Sequence, residues 1–97
     1  MIIILLPAYN EENSIIPLFS KLVSTLDSIQ KDFKIIICND GSSDKTSEIL
    51  LKYSKKLPIE IIEHSINRGL GESSRDLFER AAAIGNDGDI IIRMDCD

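Results

Sequence analysis

Asp95-Cys96-Asp97 sets two carboxylates one residue apart, directly after the apolar run Ile90-Ile91-Ile92. At a strand end, acids at that spacing can both reach a hard divalent cation. Mg2+ or Mn2+ fills its remaining positions with water and phosphate oxygens. Such an ion acts as a Lewis acid on a diphosphate leaving group. A bare Asp-x-Asp is also what a solvated strand terminus looks like, so the pair needs company. Asp40-Gly41-Ser42-Ser43 follows a second apolar run, Ile35-Ile36-Ile37-Cys38. A carboxylate held there can accept from a base N–H, as uracil or guanine offers, and Gly41 lets the backbone turn sharply. A tight turn with a serine cap explains Gly41 and Ser43 equally well. In Pro7-Ala8-Tyr9-Asn10-Glu11-Glu12, Tyr9 can stack on a base or ribose and Glu11 can hydrogen-bond. The same acids also suit a helix N-terminus, where the dipole favours them. Asn67-Arg68-Gly69-Leu70-Gly71 is only faintly a phosphate loop, and no glycine follows the first strand as a dinucleotide fingerprint requires. Arg68 reads as a solvated loop charge, His64 as a surface residue at a strand end, and Cys38 as core.

The elements that must position these residues follow from periodicity. Met1–Leu6 is an unbroken apolar run, read as a buried strand that Pro7 ends for want of an N–H. Asn13 is the expected N-cap of a first helix starting near Ser14. Ile15, Leu18, Phe19, Leu22, Val23, Leu26 and Ile29 form its inner face, with Pro17 in the first turn. Lys31–Lys34 is a return loop to a second strand, Lys34–Asn39. A second helix is expected from Asp44 to Lys55, with Ser43 as cap and Ile49, Leu50, Tyr53 and Leu57 inward. After Pro58 comes a third strand, Ile59–Glu63, and then a helix from Glu72 to Ile84 with Leu77, Phe78, Ala81 and Ala82 inward. Gly85-Asn86-Asp87-Gly88 is a turn cluster, and Asp89–Met94 is a fourth strand. Strand and helix alternate with short connections, which implies a parallel sheet with helices on both faces and right-handed crossovers. In open sheets of this kind ligands bind beyond the carboxyl ends of the strands. Tyr9, Glu11, Asp40, Asn67, Asp95 and Asp97 would all lie along that one edge.

Composition narrows the class. The 97 residues make a single domain over 1–97, burying about 60–65% of its unfolded surface. A net charge of −5 and the absence of any Lys/Arg run argue against a nucleic-acid partner. Ile2–Leu6 is too short for a signal peptide, and no stretch has the length of a membrane span. Two cysteines form no disulfide framework, which points to a reduced, cytoplasmic chain. The chain stops where a strand hands over to a loop, and is read as part of a longer protein.

Together the four motifs, in this order and at this spacing, resemble the inverting family 2 glycosyltransferases. The Gly69-Leu70-Gly71 variant is similar to their dolichyl-phosphate mannosyltransferase and polyprenyl-phosphate sugar transferase branch. The resemblance covers the whole chain but only the N-terminal, nucleotide-binding half of that family's GT-A domain. It implies an α/β, Rossmann-like parallel sheet in the order 3-2-1-4. It also implies a nucleotide-diphospho-sugar donor with Mg2+ or Mn2+, and a polyprenyl phosphate or saccharide acceptor. By position, Pro7, Ala8, Tyr9 and Glu11 would line the nucleoside pocket with Asn67 and Gly69, and Asp40 would face the base. Asp95 would sit near ribose or metal, and Asp97 would ligand the metal. The acceptor site and catalytic base would lie downstream, and membrane association would come through that later part. Cys96 stands where the family usually has a smaller residue such as Ala. With order 3-2-1-4, Cys38 and Cys96 are two strand spacings apart, about 10 Å, beyond disulfide reach.

Rival readings lack their own marks. A sugar-phosphate nucleotidyltransferase needs a Gly- and Arg-rich loop after strand 1, where this chain has Pro-Ala-Tyr-Asn. A flavodoxin-like acidic metal-binding module needs paired acids after strand 1, a late Lys, and a fifth strand and helix. A folded but inactive remnant is the third alternative. The apolar strand at residues 90–94 would be an unprotected edge, and self-association through it, or partial disorder of it, is expected.

Overall fold

A computed structural model describes residues 1–96. Along the chain β1 (Ile2–Ala8), α1 (Ile15–Ile29), β2 (Phe33–Asp40), α2 (Thr46–Ser54), β3 (Ile59–His64), α3 (Leu70–Ile84) and β4 (Ile90–Arg93) alternate. The strands form one parallel sheet in the order β3-β2-β1-β4, as the resemblance implies. β1 and β2 are interior and covered on both faces, which is why they read as continuous apolar runs. Alternate residues split the core in two. Ile2, Ile4, Leu6, Ile35 and Ile37 pack on Phe19, Leu22 and Leu26 of α1 and Leu50 of α2. On the other face Ile3, Leu5, Ile36 and Cys38 meet Leu77 and Ala81 of α3. Phe19 and Tyr53 meet edge-on at 4.8 Å, joining α1 to α2. Cys38 and Cys96 are not joined by a disulfide.

Element ends depart from the sequence reading for local reasons. β1 continues through Pro7, which pairs with Cys38 of β2. Ile2 N–H donates toward the β2 side and Leu5 C=O accepts from the β4 side. By alternation Pro7 turns its nitrogen to the β4 side, where pairing has stopped at Leu5, so no ladder bond is lost. Ser14, not Asn13, is the cap residue of α1. α2 begins at Thr46, because Asp44 takes the capping role expected of Ser43, accepting the Thr46 N–H at 2.9 Å. β3 extends one residue further, to His64, which pairs with Asp40. α3 starts at Leu70, two residues before the expected Glu72, with Gly69 as its cap at φ 97°.

The inner face of α3 is narrower than expected. Its buried stripe is Ser73, Leu77 and Ala81, while Phe78 is 48% exposed and Ala82 is exposed. Among the described residues α3 is the only helix on its sheet face, so one stripe touches the sheet and no neighbouring helix covers its flanks. On α1, Ile29 is likewise exposed.

β4 is an edge strand. Ile90, Ile91 and Ile92 are 49%, 43% and 41% exposed. Successive strand residues point to opposite faces, so both faces of β4 are bare as well as its outer rim.

Leu77→Ala is expected to cost about 2–5 kcal/mol of unfolding free energy, and Phe78→Ser less than about 0.5 kcal/mol, both read by urea denaturation. Sedimentation at rising concentration checks the β4 edge. Self-association that Ile91→Lys abolishes is expected, because a charge on an edge strand blocks strand addition.

Candidate functional site

The three loops beyond the carboxyl ends of β1, β2 and β3 are tied into one platform by the loop that follows β2. Gly41 makes this possible: it has φ +69°, and a Cβ there would lie 2.4 Å from Asn67 N and 2.5 Å from the Ile66 carbonyl carbon. Only glycine admits both the backbone angle and that approach.

Toward β1 the platform is a set of backbone-to-side-chain bonds. Asn10 N–H donates to Ser42 Oγ at 3.0 Å, and Glu11 N–H to Thr46 Oγ1 at 2.9 Å. Glu12 N–H donates to Asp44 Oδ2 at 3.3 Å, and Ser43 N–H returns a bond to Asn10 Oδ1 at 2.8 Å. Asp44 therefore stays ionised: burial opposes it, but the Thr46 hydroxyl, the Thr46 N–H and the Glu12 N–H hold its carboxyl below the usual range. Asn39, 1% exposed, accepts from Ser42 Oγ at 2.6 Å and donates to Ser47 Oγ at 2.7 Å, fixing the start of the turn.

Toward β3 a single side chain does the work. Asp40 is 3% exposed. Its Oδ1 accepts the Arg68 N–H at 2.8 Å and its Oδ2 the Gly69 N–H at 2.9 Å. His64 Nδ1 lies 2.8 Å from the same Oδ1. Burial pushes this carboxyl up, but the Arg68 N–H, the His64 ring and the Gly69 N–H outweigh it and leave the pKa below its ordinary value. Asn67 Nδ2 adds a 3.3 Å bond to the Asp40 carbonyl.

Pro7, Ala8, Tyr9, Glu11, Asp40, Asn67, Gly69 and Asp95 line one cleft of about 380 Å³, with Leu70, Ser73 and Cys96. Tyr9 and Leu70 stand at its walls, 47% and 59% exposed. Asp95 follows β4 with its side chain 64% exposed and Oδ1 3.6 Å from Arg93 Nη2. Cys96 Sγ lies 3.4 Å from the Pro7 carbonyl. Asp97 lies outside the described residues. An accessible carboxylate such as Asp95 at the cleft is a hard oxygen donor, which fits Mg2+ or Mn2+.

His64 is where the sequence reading is corrected. It is not a surface residue: it is 7% exposed, because β3 runs one residue further and α3 closes over its end. Its Nε2 lies 2.6 Å from Asp76 Oδ2 of α3. The bonds to Asp40 and Asp76 raise its pKa above 6.5 against the opposing effect of burial. Cys38, His64 and Asp76 form the one His/Cys/acid group close enough for a shared metal among the described residues. Cys38 Sγ is 3.8 and 3.7 Å from the two ring nitrogens. At near-equal distance it lies against the ring, off the line of either nitrogen's in-plane lone pair. Both nitrogens already face acids, so this group is a hydrogen-bonded core. Burial raises the Cys38 thiol pKa, as suits an inert sulfur. Ser73 Oγ is buried at the head of α3 beside the Cys38 thiol.

Residues 3–97 match the domain described as Glycosyl transferase family 2. The chain belongs to that family. Undecaprenyl-phosphate 4-deoxy-4-formamido-L-arabinose transferases of Edwardsiella ictaluri and Photorhabdus laumondii are 30% and 32% identical over 94 residues. Each match covers 97% of this chain and 28% of the relative, so the chain spans little more than a quarter of their length. Residues 1–349 of S. aureus TarS, in complex with UDP-GlcNAc, superpose with a TM-score of 0.80 at 25% identity. That match covers 99% of this chain and 26% of that one. The mannosyltransferase PcManGT from Pyrobaculum calidifontis, in complex with GDP-Man and Mn2+, gives 0.75 at 16% identity over 99% and 27%, a likeness of fold. The fold is that of GT-A glycosyltransferases, and membership sets aside the nucleotidyltransferase and receiver-module readings. Among the described residues no helix is long and apolar enough to cross a membrane.

The platform has a pH window. Asp40 and Asp44, depressed below 3.8, contribute stability above that value and lose it as pH falls through their folded pKa values. His64, raised above 6.5, contributes fully below 6.5 and loses its contribution as pH rises through the folded value. Unfolding free energy should therefore plateau between these limits and fall on both sides, with the alkaline limb flattened in His64→Gln. Chemical denaturation across pH reads it.

Proposed function

We propose that the protein transfers a sugar, with inversion, from a uridine or thymidine diphospho-sugar to a polyprenyl phosphate. A divalent ion, Mg2+ or Mn2+, would be held by Asp95 and Asp97. The observation that carries this reading is the shared cleft: acids from the ends of β1, β2 and β4 meet an aromatic wall within one concavity.

The acceptor inventory of Asp40 favours one class of base. A carboxylate has about four lone-pair sites. Arg68 N–H and His64 take two on Oδ1, and Gly69 N–H takes one on Oδ2. One site on Oδ2 remains. Uracil and thymine present a single imide N–H flanked by two carbonyl oxygens, which suits one acceptor beside the uncapped first-turn N–H groups of α3. Guanine presents two adjacent donors and leaves one unmet. Tyr9 and Leu70 supply the faces between which the ring stacks, Glu11 and Asn67 are placed for sugar hydroxyls, and Gly69 keeps that wall free of a side chain. TarS in complex with UDP-GlcNAc supports the uridine reading, and the undecaprenyl-phosphate transferases support the lipid-phosphate acceptor.

When bound, the ion supplies charge to the leaving diphosphate. The chain's own residues hold the nucleoside: Asp40 orients the base, Tyr9 covers it, and Asp95 presents its carboxylate at the mouth of the cleft. The acceptor-side base is assigned to none of these residues.

Titration calorimetry with UDP, dTDP and GDP, in Mn2+ and then in excess EDTA, tests the reading. UDP and dTDP are expected to bind, with GDP weaker by about 5- to 150-fold, the worth of one buried unmet donor at 1–3 kcal/mol. EDTA should abolish the enthalpy signal for all three. Equal affinity for GDP, or binding indifferent to EDTA, would refute it.

A further inference from the structure

His64 lines no part of the cleft, yet both its ring nitrogens are spoken for. Nδ1 meets Asp40 Oδ1 at 2.8 Å and Nε2 meets Asp76 Oδ2 at 2.6 Å. Ionised carboxylates only accept, so both contacts are hydrogen bonds only when the ring carries both protons. The ring is therefore an imidazolium bridge between β2 and α3, with side-chain exposures of 5% for His64, 5% for Asp40 and 29% for Asp76. The titratable groups facing it are Asp40 and Cys38 from β2 and Asp76 from α3. Its chain neighbour Glu63 turns to Asn39 on the opposite sheet face.

We propose that His64, oriented and kept charged by Asp76, is a positioning residue of the donor site. It occupies one lone pair of Asp40 Oδ1, fixes the carboxylate against the Arg68 and Gly69 N–H groups, and so leaves a single acceptor for the base. This rests on the reading that Asp40 meets the base. Loss of the Nδ1 proton turns a donor on Asp40 into a lone pair facing a carboxylate. The carboxylate then rotates or releases the Asn67–Gly69 wall, and nucleotide affinity falls. Asp76 sets the pH at which this happens, although it touches neither Asp40 nor the cleft.

Asp76→Asn tests this with little risk to the fold, since the site is half-buried and the amide oxygen still accepts from Nε2. Three readouts are followed from about pH 5 to 9, a range spanning ordinary imidazole titration. They are the His64 ring 15N shifts, amide exchange at Arg68 and Gly69, and UDP affinity. In the wild type the ring should stay doubly protonated above 6.5, with flat UDP affinity through that range. In Asp76→Asn the ring should titrate at lower pH, and UDP affinity should drop about 5- to 30-fold across the same shifted midpoint, the worth of 1–2 kcal/mol. His64→Gln, which donates to Asp40 but does not titrate, should bind UDP with no such step, and carries the comparison should Asp76→Asn fail to fold. A UDP profile that stays put while the ring midpoint moves, or a wild-type ring midpoint at or below the ordinary 6.5, overturns the proposal. If the wild type binds no UDP, the donor reading fails by itself. Amide exchange then decides: protection at Arg68 and Gly69 that follows the ring midpoint supports positioning, and indifferent protection sinks it.

Discussion

One carboxylate organises the ligand-binding edge. Asp40 is buried at the end of an interior strand, and in so low a dielectric an unpaired charge is costly. It is tolerable only because two backbone N–H groups and an imidazole converge on it. That requirement runs backward through the chain. Gly41 must be glycine so that residues 66–69 can come close, β3 must reach His64 to supply the ring, and α3 must begin at Leu70 so that Gly69 and Arg68 still have free N–H groups to offer. The cleft is a by-product of satisfying a buried acid.

The second half of the platform uses the opposite device. Between the loops after β1 and β2 no single group dominates; Asn10, Ser42, Asp44 and Thr46 exchange neutral and charge-assisted bonds in series. Each is worth about 0.5–1.5 kcal/mol net, so on the Tyr9 and Glu11 side the stabilisation is spread over several contacts, where on the Asp40 side it is concentrated on one carboxylate.

Much of this architecture was legible in the chain, and the reasons differ by element. Buried parallel strands announce themselves as uninterrupted runs, so Ile2–Leu6 and Ile35–Cys38 were readable, and acids following such runs fell on one edge by topology alone. Boundaries were less readable because competition between caps is settled in three dimensions: Asp44 takes the Thr46 N–H while Ser43 is drawn away to Asn10. His64 misled for a deeper reason. A polar residue at a strand end looks solvated, and its two partners stand 24 and 12 residues away. The one available signal was Asp76 itself, an acid one position before the buried Leu77 on α3. Phe78 misled in the other direction, since apolar content alone does not say that α3 has no helical neighbour.

Electrostatics closes the account of the cleft. Its lining includes three carboxylates, Glu11, Asp40 and Asp95, and neither Lys nor Arg, on a chain of net charge −5. A diphosphate brought into that surface meets repulsion from every ionised wall, and Asp40 cannot relieve it by protonation because its partners hold the carboxyl below the usual range. Backbone N–H groups at the head of α3 contribute only partial charge, and two of the nearest are already committed to Asp40. The cations nearest these acids, the His64 ring on Asp40 and the Arg93 guanidinium beside Asp95, are already paired with them. On the proposed reading, Asp95, the most exposed of these acids, would turn from a repulsive group into a ligand once a divalent ion is bound. An acidic lining of this kind would then favour a nucleotide accompanied by a divalent ion over the same nucleotide without one, which is the electrostatic ground of the proposed metal requirement.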